Sequence, residues 1–123
     1  MESVLRAWTF WIHAFRQAEC REDMEREVFS RMRQAVGNQY ANALFRDAGD
    51  GTIEVVVLSV WDSIDHIRAF AGPGYLQPVI PPAHLGKVVD REPSVHHFAM
   101  ADLPPSLHSL LTANSQSSIH RHS

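Results

Sequence analysis

The residues able to do chemistry are the polar and aromatic ones set into apolar, strand-like runs. Arg6 and Trp8 alternate with Ala7 and Thr9 in a stretch where nearly every residue is apolar or aromatic. Their spacing puts the guanidinium and the indole on one face of a strand. An arginine there can hold an anion such as a phenolate, or it can form an ion pair at the sheet edge or in a subunit seam. Trp61 ends a Val-rich run, where its indole either lines a planar ligand or plugs the core beneath the next helix. His96 and His97 are neighbours, so on a strand they point to opposite faces and cannot jointly chelate a metal. One of them faces a pocket or a seam; titrating near neutrality, it can accept a phenol proton, or it is simply packed and hydrogen-bonded.

Other chemistries find no footing. There is no dinucleotide or phosphate-loop glycine pattern, no serine-centred elbow, no paired-cysteine zinc spacing and no His-Glu-x-x-His helix. The acids between Glu19 and Glu27 alternate with Arg21, Arg26, Arg31 and Arg33, which describes a solvated helix face laced with ion pairs rather than paired catalytic carboxylates. Cys20 lies in that acidic run, which would raise its pKa and leave it an inert thiol. His13 marks a strand end. His108, His120 and His122 fall in the last segment, where the latter two could pick up metal adventitiously.

The bulk numbers fit one globular domain: 123 residues, 45% of them hydrophobic. With 20% charged residues, a net charge of −3 and a single lysine, Lys87, there is no basic footprint for nucleic acid or an anionic membrane. No apolar run approaches the length of a bilayer span, the opening Met1-Glu2-Ser3 lacks a signal-peptide pattern, and one cysteine cannot form an intrachain disulfide. The cytoplasm is the expected compartment.

The positioning elements follow from periodicity. Val4 to Phe15 reads as a strand buried on both sides, and Glu19 to Val36 as an amphipathic helix with the stripe Met24, Val28, Met32 and Ala35, closed by Gly37 and Asn38. Ala41 to Asp47 and Thr52 to Trp61 form an antiparallel hairpin about the polar turn Asp47-Ala48-Gly49-Asp50-Gly51. Asp62 or Ser63 caps a helix carrying Ile64, Ile67, Phe70 and Ala71, ended by Gly72-Pro73-Gly74. A further helix is expected from Pro81-Pro82 towards Val89, then a last strand from Val95 to Met100. The domain spans residues 1–102. Residues 103–123 form a polar tail in which Leu107, Leu110 and Leu111 can make a short docking helix. The order is β-α-β-β-α-β, the ferredoxin-like α+β arrangement with helices on one face of an antiparallel sheet. Because Val55, Val57 and Trp61 occupy one face of the third strand and Val56, Leu58 and Val60 the other, a single helical layer leaves one apolar face open. A second copy of the chain is the expected cover, giving a homodimer.

Four segments carry a resemblance to a known family: Gly37-Asn38-Gln39-Tyr40-Ala41, the run from Ile53 to Ser63, Ile67-Arg68-Ala69-Phe70-Ala71-Gly72, and Asp90 to Phe98. Together they make roughly residues 4 to 100 similar to the antibiotic-biosynthesis-monooxygenase-like proteins, with Trp61 to Gly72 the most specific block. The resemblance implies a dimeric α+β barrel with a pocket in each subunit between sheet and helices. Some such proteins oxygenate aromatic phenols without metal or flavin, and others bind and degrade haem. The haem-degrading ones use an asparagine on the first strand and a tryptophan on the helix after the hairpin. Here that strand lacks asparagine and Phe70 takes the tryptophan position, which disfavours haem degradation, although His84 falls near the place of the histidine ligand. The implied activity is a cofactor-independent monooxygenase acting on a small aromatic or quinol-like compound. The alternatives are a non-catalytic ligand-binding or accessory protein and, less favoured, a haem-binding protein. His97, where the closing strand of the family has its histidine, and Arg6 would be catalytic. Trp8, Trp61, Phe70, Tyr75 and His84 would contact substrate, the last two as lid residues over the pocket mouth or as ordinary surface positions. No cofactor or metal is expected.

Overall fold

Strict alternation produces three long strands, β1 (Val4–His13), β2 (Asn38–Asp47) and β3 (Thr52–Trp61), and a shorter β4 (Ser94–Ala99). The computed structural model describes residues 2–77, 88–89 and 91–104. The strands form one antiparallel sheet in the order β2-β3-β1-β4. The expected ferredoxin-like α+β sheet is thus present. β2 starts three residues earlier than the sequence suggests, because a bulge between Asn38 and Tyr40 lets the chain join the ladder directly after the turn at Gly37. The hairpin turn is held by Asp47 and Asp50, whose carboxylates accept from the backbone N–H groups of Gly49 and Thr52, while Gly49 and Gly51 take the positive φ it requires.

The first helix is longer in purpose than in regularity. It runs as α1 (Gln17–Asp23), a π-helical stretch (Met24–Phe29) and α2 (Ser30–Gln34). The wider π turn rotates the stripe, so Phe29, outside the expected apolar series, becomes the fully buried residue while Met24, Val28 and Met32 are only partly covered. The helix also ends sooner than expected: Ala35 is already extended and Val36 is exposed. Gly37 adopts φ 91°, and a Cβ there would collide with the His66 ring, so only glycine fits this crossing.

α3 (Ile64–Ala71) begins at Ser63, whose hydroxyl accepts from the His66 N–H, and ends at Gly72. Ile67 is completely buried against Val4 and Trp61, whereas Ala71, placed by periodicity in the same stripe, is exposed. Both helices therefore cover the face bearing Val4, Phe10 and Ile12 of β1 and Ile53, Val55, Val57 and Trp61 of β3. On the opposite face Trp11, Val56 and Leu58 are only partly covered although Val60 is completely buried, and the expectation of a first strand buried on both sides is not met within one subunit. The helix expected from Pro81 lies mostly outside the described residues. Its far end is not helical: Val88 bridges Ile12, and the Val89 N–H donates to the Trp11 carbonyl at 2.7 Å. The docking helix at Leu107, Leu110 and Leu111 also lies outside them. No helix of the described residues is long and apolar enough to cross a membrane.

Candidate functional site

Between the covered sheet face and the first helix lies a cavity of about 570 Å³. Its floor is the even-numbered side of β1, Arg6 to Ile12, with Val57 and Ser59 of β3; Cys20, Met24, Val28 and Met32 form the helical wall. Phe70 and Ala71 close one end and Val88, pinned to Ile12, the other. The lining is mainly apolar and aromatic, with Trp8 and Phe10 ring centroids 5.0 Å apart. Such a surface accepts a planar hydrophobic body.

Arg6 is the charged exception on the floor. It is half-buried, and among the described residues it forms no hydrogen bond or ion pair; burial pulls its pKa down. A guanidinium still remains charged at any physiological pH, so the cavity floor holds a cation that has no ion-pair partner among the described residues.

β4 brings His97 directly opposite Arg6, and β3 brings Ser59 to its other side. Directly opposed residues of an antiparallel pair share a face, so His97 points to the helical side and His96, opposite Ala7, to the open side. Burial first, then Arg6 and His96, hold the His97 imidazole below its ordinary pKa. Its Nε2 is buried and has no hydrogen-bond partner among the described residues, and the Tyr75 ring meets the imidazole edge-on at 5.9 Å. Burial and the nearby cation thus favour the neutral imidazole, whose Nε2 is unpaired among the described residues.

Of the candidates read from the sequence, Arg6, Trp8 and Phe70 line the cavity. His97 stands beside Arg6, behind the lining. Trp61 does not reach the cavity: it is 0% exposed, its Nε1 donates to the Ser59 hydroxyl at 2.9 Å, and Phe70 covers it at 5.2 Å. It takes the core-plug role. Tyr75 packs against the cluster of Val4, Trp61 and Ile67 and over His97 rather than across the mouth. His84 lies outside the described residues.

Sequence reasoning missed the cavity wall. Met24, Val28 and Met32 were readable as a stripe, but not as one left partly open. Ser59 carried a usable signal, a small polar residue among valines on the Trp61 side of β3. The helix acids behave as expected: Arg16 pairs with Glu19 at 3.0 Å, and Arg26 with Asp23 at 2.7 Å. Cys20 lines the cavity as an inert thiol, its pKa pushed up to about 11 by burial and by Asp23. Among the described residues no group of histidine, cysteine and acid side chains is placed to hold a metal.

No protein-family profile matches the chain, and no curated protein sequence does. Solved structures do. The cofactor-independent oxygenase SnoaB of Streptomyces nogalater, in a mutant form, superposes with a TM-score of 0.59 at 20% identity, covering 85% of this chain and 99% of that one. A Bacillus cereus protein provisionally named an antibiotic biosynthesis monooxygenase gives 0.60 at 14% identity, over 85% and 98%. A haem-degrading protein of Mycobacterium tuberculosis gives 0.57 at 16%, over 84% and 94%. At these identities the likeness speaks to the fold: the chain has the ferredoxin-like α+β fold of the antibiotic-biosynthesis-monooxygenase-like proteins, as the sequence resemblance implies. A fold hosts several chemistries, and those of these neighbours differ.

Proposed function

We propose that the chain is a cofactor-independent monooxygenase acting on a small phenolic or quinol-like aromatic, working as a homodimer in the cytoplasm. The observation that carries this reading is Arg6, a half-buried guanidinium without a counter-ion among the described residues, set in the floor of an aromatic-lined cavity. It supplies the one thing such an oxygenation needs from a protein, stabilisation of the substrate as an anion in a site poor in water. The shared fold with a cofactor-independent oxygenase supports it.

In the reaction, the phenol oxygen sits at Arg6, which favours its ionised form. His97, beside Arg6 and behind the lining, takes the proton through one intervening water; neutralising the guanidinium by the anion removes the share of the imidazole's lowered pKa that Arg6 contributes, burial being the larger cause. The electron-rich ring passes an electron to dioxygen, the two radicals join at a ring C–H carbon as a peroxide that takes the proton back from His97, and loss of water together with that ring hydrogen leaves a carbonyl. The phenolic O–H, the ring C–H and O₂ become two C=O groups and H₂O, so the substrate itself supplies the electrons. Trp8 and Phe70 hold the ring plane.

The open sheet face supports the dimer. Leu44 and Phe98 are 52% and 51% exposed there, alongside Trp11, Val56 and Leu58, an apolar patch that a second subunit would cover. The test of function is dioxygen uptake with a panel of anthrones and hydroquinones, with isotopically labelled O₂ tracing one oxygen into product. Uptake no faster than the spontaneous rate, with binding retained, would leave a ligand-binding protein; a Soret band on haem titration would redirect the assignment to haem.

A further inference from the structure

The first helix and the turn before it carry five arginines from Arg16 to Arg33 besides their acids, and they divide by what they touch. Arg16, Arg26 and Arg33 are ion-paired with Glu19, Asp23 and Glu25. Arg21 lies on the Phe45 ring, 4.0 Å from its centroid. Arg31 differs from all of these: it lines the cavity, has no carboxylate partner among the described residues, and lies 5.5 Å over Phe70. A guanidinium stacked by one face keeps its in-plane donors available for an anion.

Arg31 stands at the same end of the cavity as Arg6. Phe70, on which Arg31 lies, is 5.2 Å from Trp61; the Trp61 indole donates to Ser59, and Ser59 is directly opposite Arg6 across the ladder. One cation is therefore deep and one at the rim, where the cavity meets a second, more open hollow bordered by Arg31, Phe70 and His66. The helical wall also presents Glu19, Asp23 and, one turn before Arg31, Glu27; Glu27 pairs with Arg26 at 3.1 Å, while Glu19 and Asp23 disfavour an anionic group at the opposite end.

We propose that Arg31 is a second anion anchor of this cavity, and that the compound bound there is a hydroxylated aromatic carboxylic acid with its carboxylate at Arg31 and its phenolic oxygen at Arg6. This rests on the assignment of an aromatic anion to the cavity made above. A simple phenol would use one of the two arginines that have no carboxylate partner among the described residues; an aryl carboxylate with a distant hydroxyl uses both. The apolar body then lies against Trp8 and Phe70, and Arg31 sets which end enters last.

The test compares 6-hydroxy-2-naphthoic acid with 2-naphthol by tryptophan fluorescence titration of the full chain. The acid should bind about tenfold more tightly, the worth of one added charge-assisted contact at a partly exposed rim. Arg31→Met should remove that preference by weakening the acid about tenfold more than naphthol, Arg31→Lys should restore part of it, and Arg6→Met should weaken both ligands. Arg31 is exposed, so the fold tolerates its replacement, and Arg31→Lys keeps the test intact if Met does not. Naphthol binding that depends on Arg6 without preference for the acid, or equal weakening of both ligands by Arg31→Met, overturns this inference alone. Failure of the wild type to bind either compound overturns it together with the assignment on which it rests.

Discussion

Replacing Arg6 by methionine should stabilise the unliganded protein while weakening its ligand. Removing one member of a buried ion pair costs about 3–5 kcal/mol, because the partner charge is left stranded. Arg6 has no such partner among the described residues, and burial already lowers its pKa. Full burial of a lone ion costs several kcal/mol; at half-burial, with solvent screening, roughly 1 kcal/mol is a fair share. Methionine keeps the stem against Trp8 and Val57 and adds apolar contact worth about 0.5–1 kcal/mol. The net gain of about 1–2 kcal/mol corresponds to a melting temperature higher by roughly 3–7 °C for a domain of this size. Ligand offsets most of that gain. At a hundred times Kd a phenolate adds about 2.7 kcal/mol to the wild type, and a tenfold loss of affinity leaves the variant about 1.4. Differential scanning fluorimetry of both proteins, with and without 2-naphthol above its pKa, reads the two effects together. A lower melting temperature for the free variant would refute the reasoning, since it would mean that Arg6 serves a structural partner.

Three other outcomes are expected. Between the lowered pKa of His97 and about 6.5, the unfolded chain binds a proton that the folded protein does not, so stability should rise with pH through that window and fall on acidification. Urea titrations from pH 5 to 7.5 should show this slope flattened in His97→Gln; an unaltered slope would place the linkage elsewhere. Gly37→Ala, forced into φ 91° with its Cβ against His66, should cost more than about 1 kcal/mol, whereas Gly49→Ala, with open space around it, bears only the backbone penalty. Light scattering at micromolar concentration should give a dimer, and the double variant Leu44→Arg and Phe98→Arg on the open face should give folded monomers; a monomeric wild type would remove the basis for the interface.

What could be read from the chain alone was whatever its covalent geometry dictates locally. Side chains alternate along a strand regardless of surroundings, so the common face of Arg6 and Trp8, the opposed faces of His96 and His97 and the hairpin about Gly49 and Gly51 followed from spacing. The helix after Trp61 followed from Ser63 and Gly72, whose capping roles are equally local. Tertiary packing decided the rest. The ladder register between β1 and β4 is what sets His97 against Arg6, and it depends on strands remote in sequence finding the same hydrophobic layer. The placing of Phe70 over Trp61 turned one aromatic into core and left the other as cavity wall. The π turn at Met24–Phe29 changed which helix face is buried, rotating Phe29 inward and leaving Met24, Val28 and Met32 to line a space rather than fill it. Periodicity says that a face is apolar; only the distance to the facing element says whether that face closes into a core or stands open as a pocket.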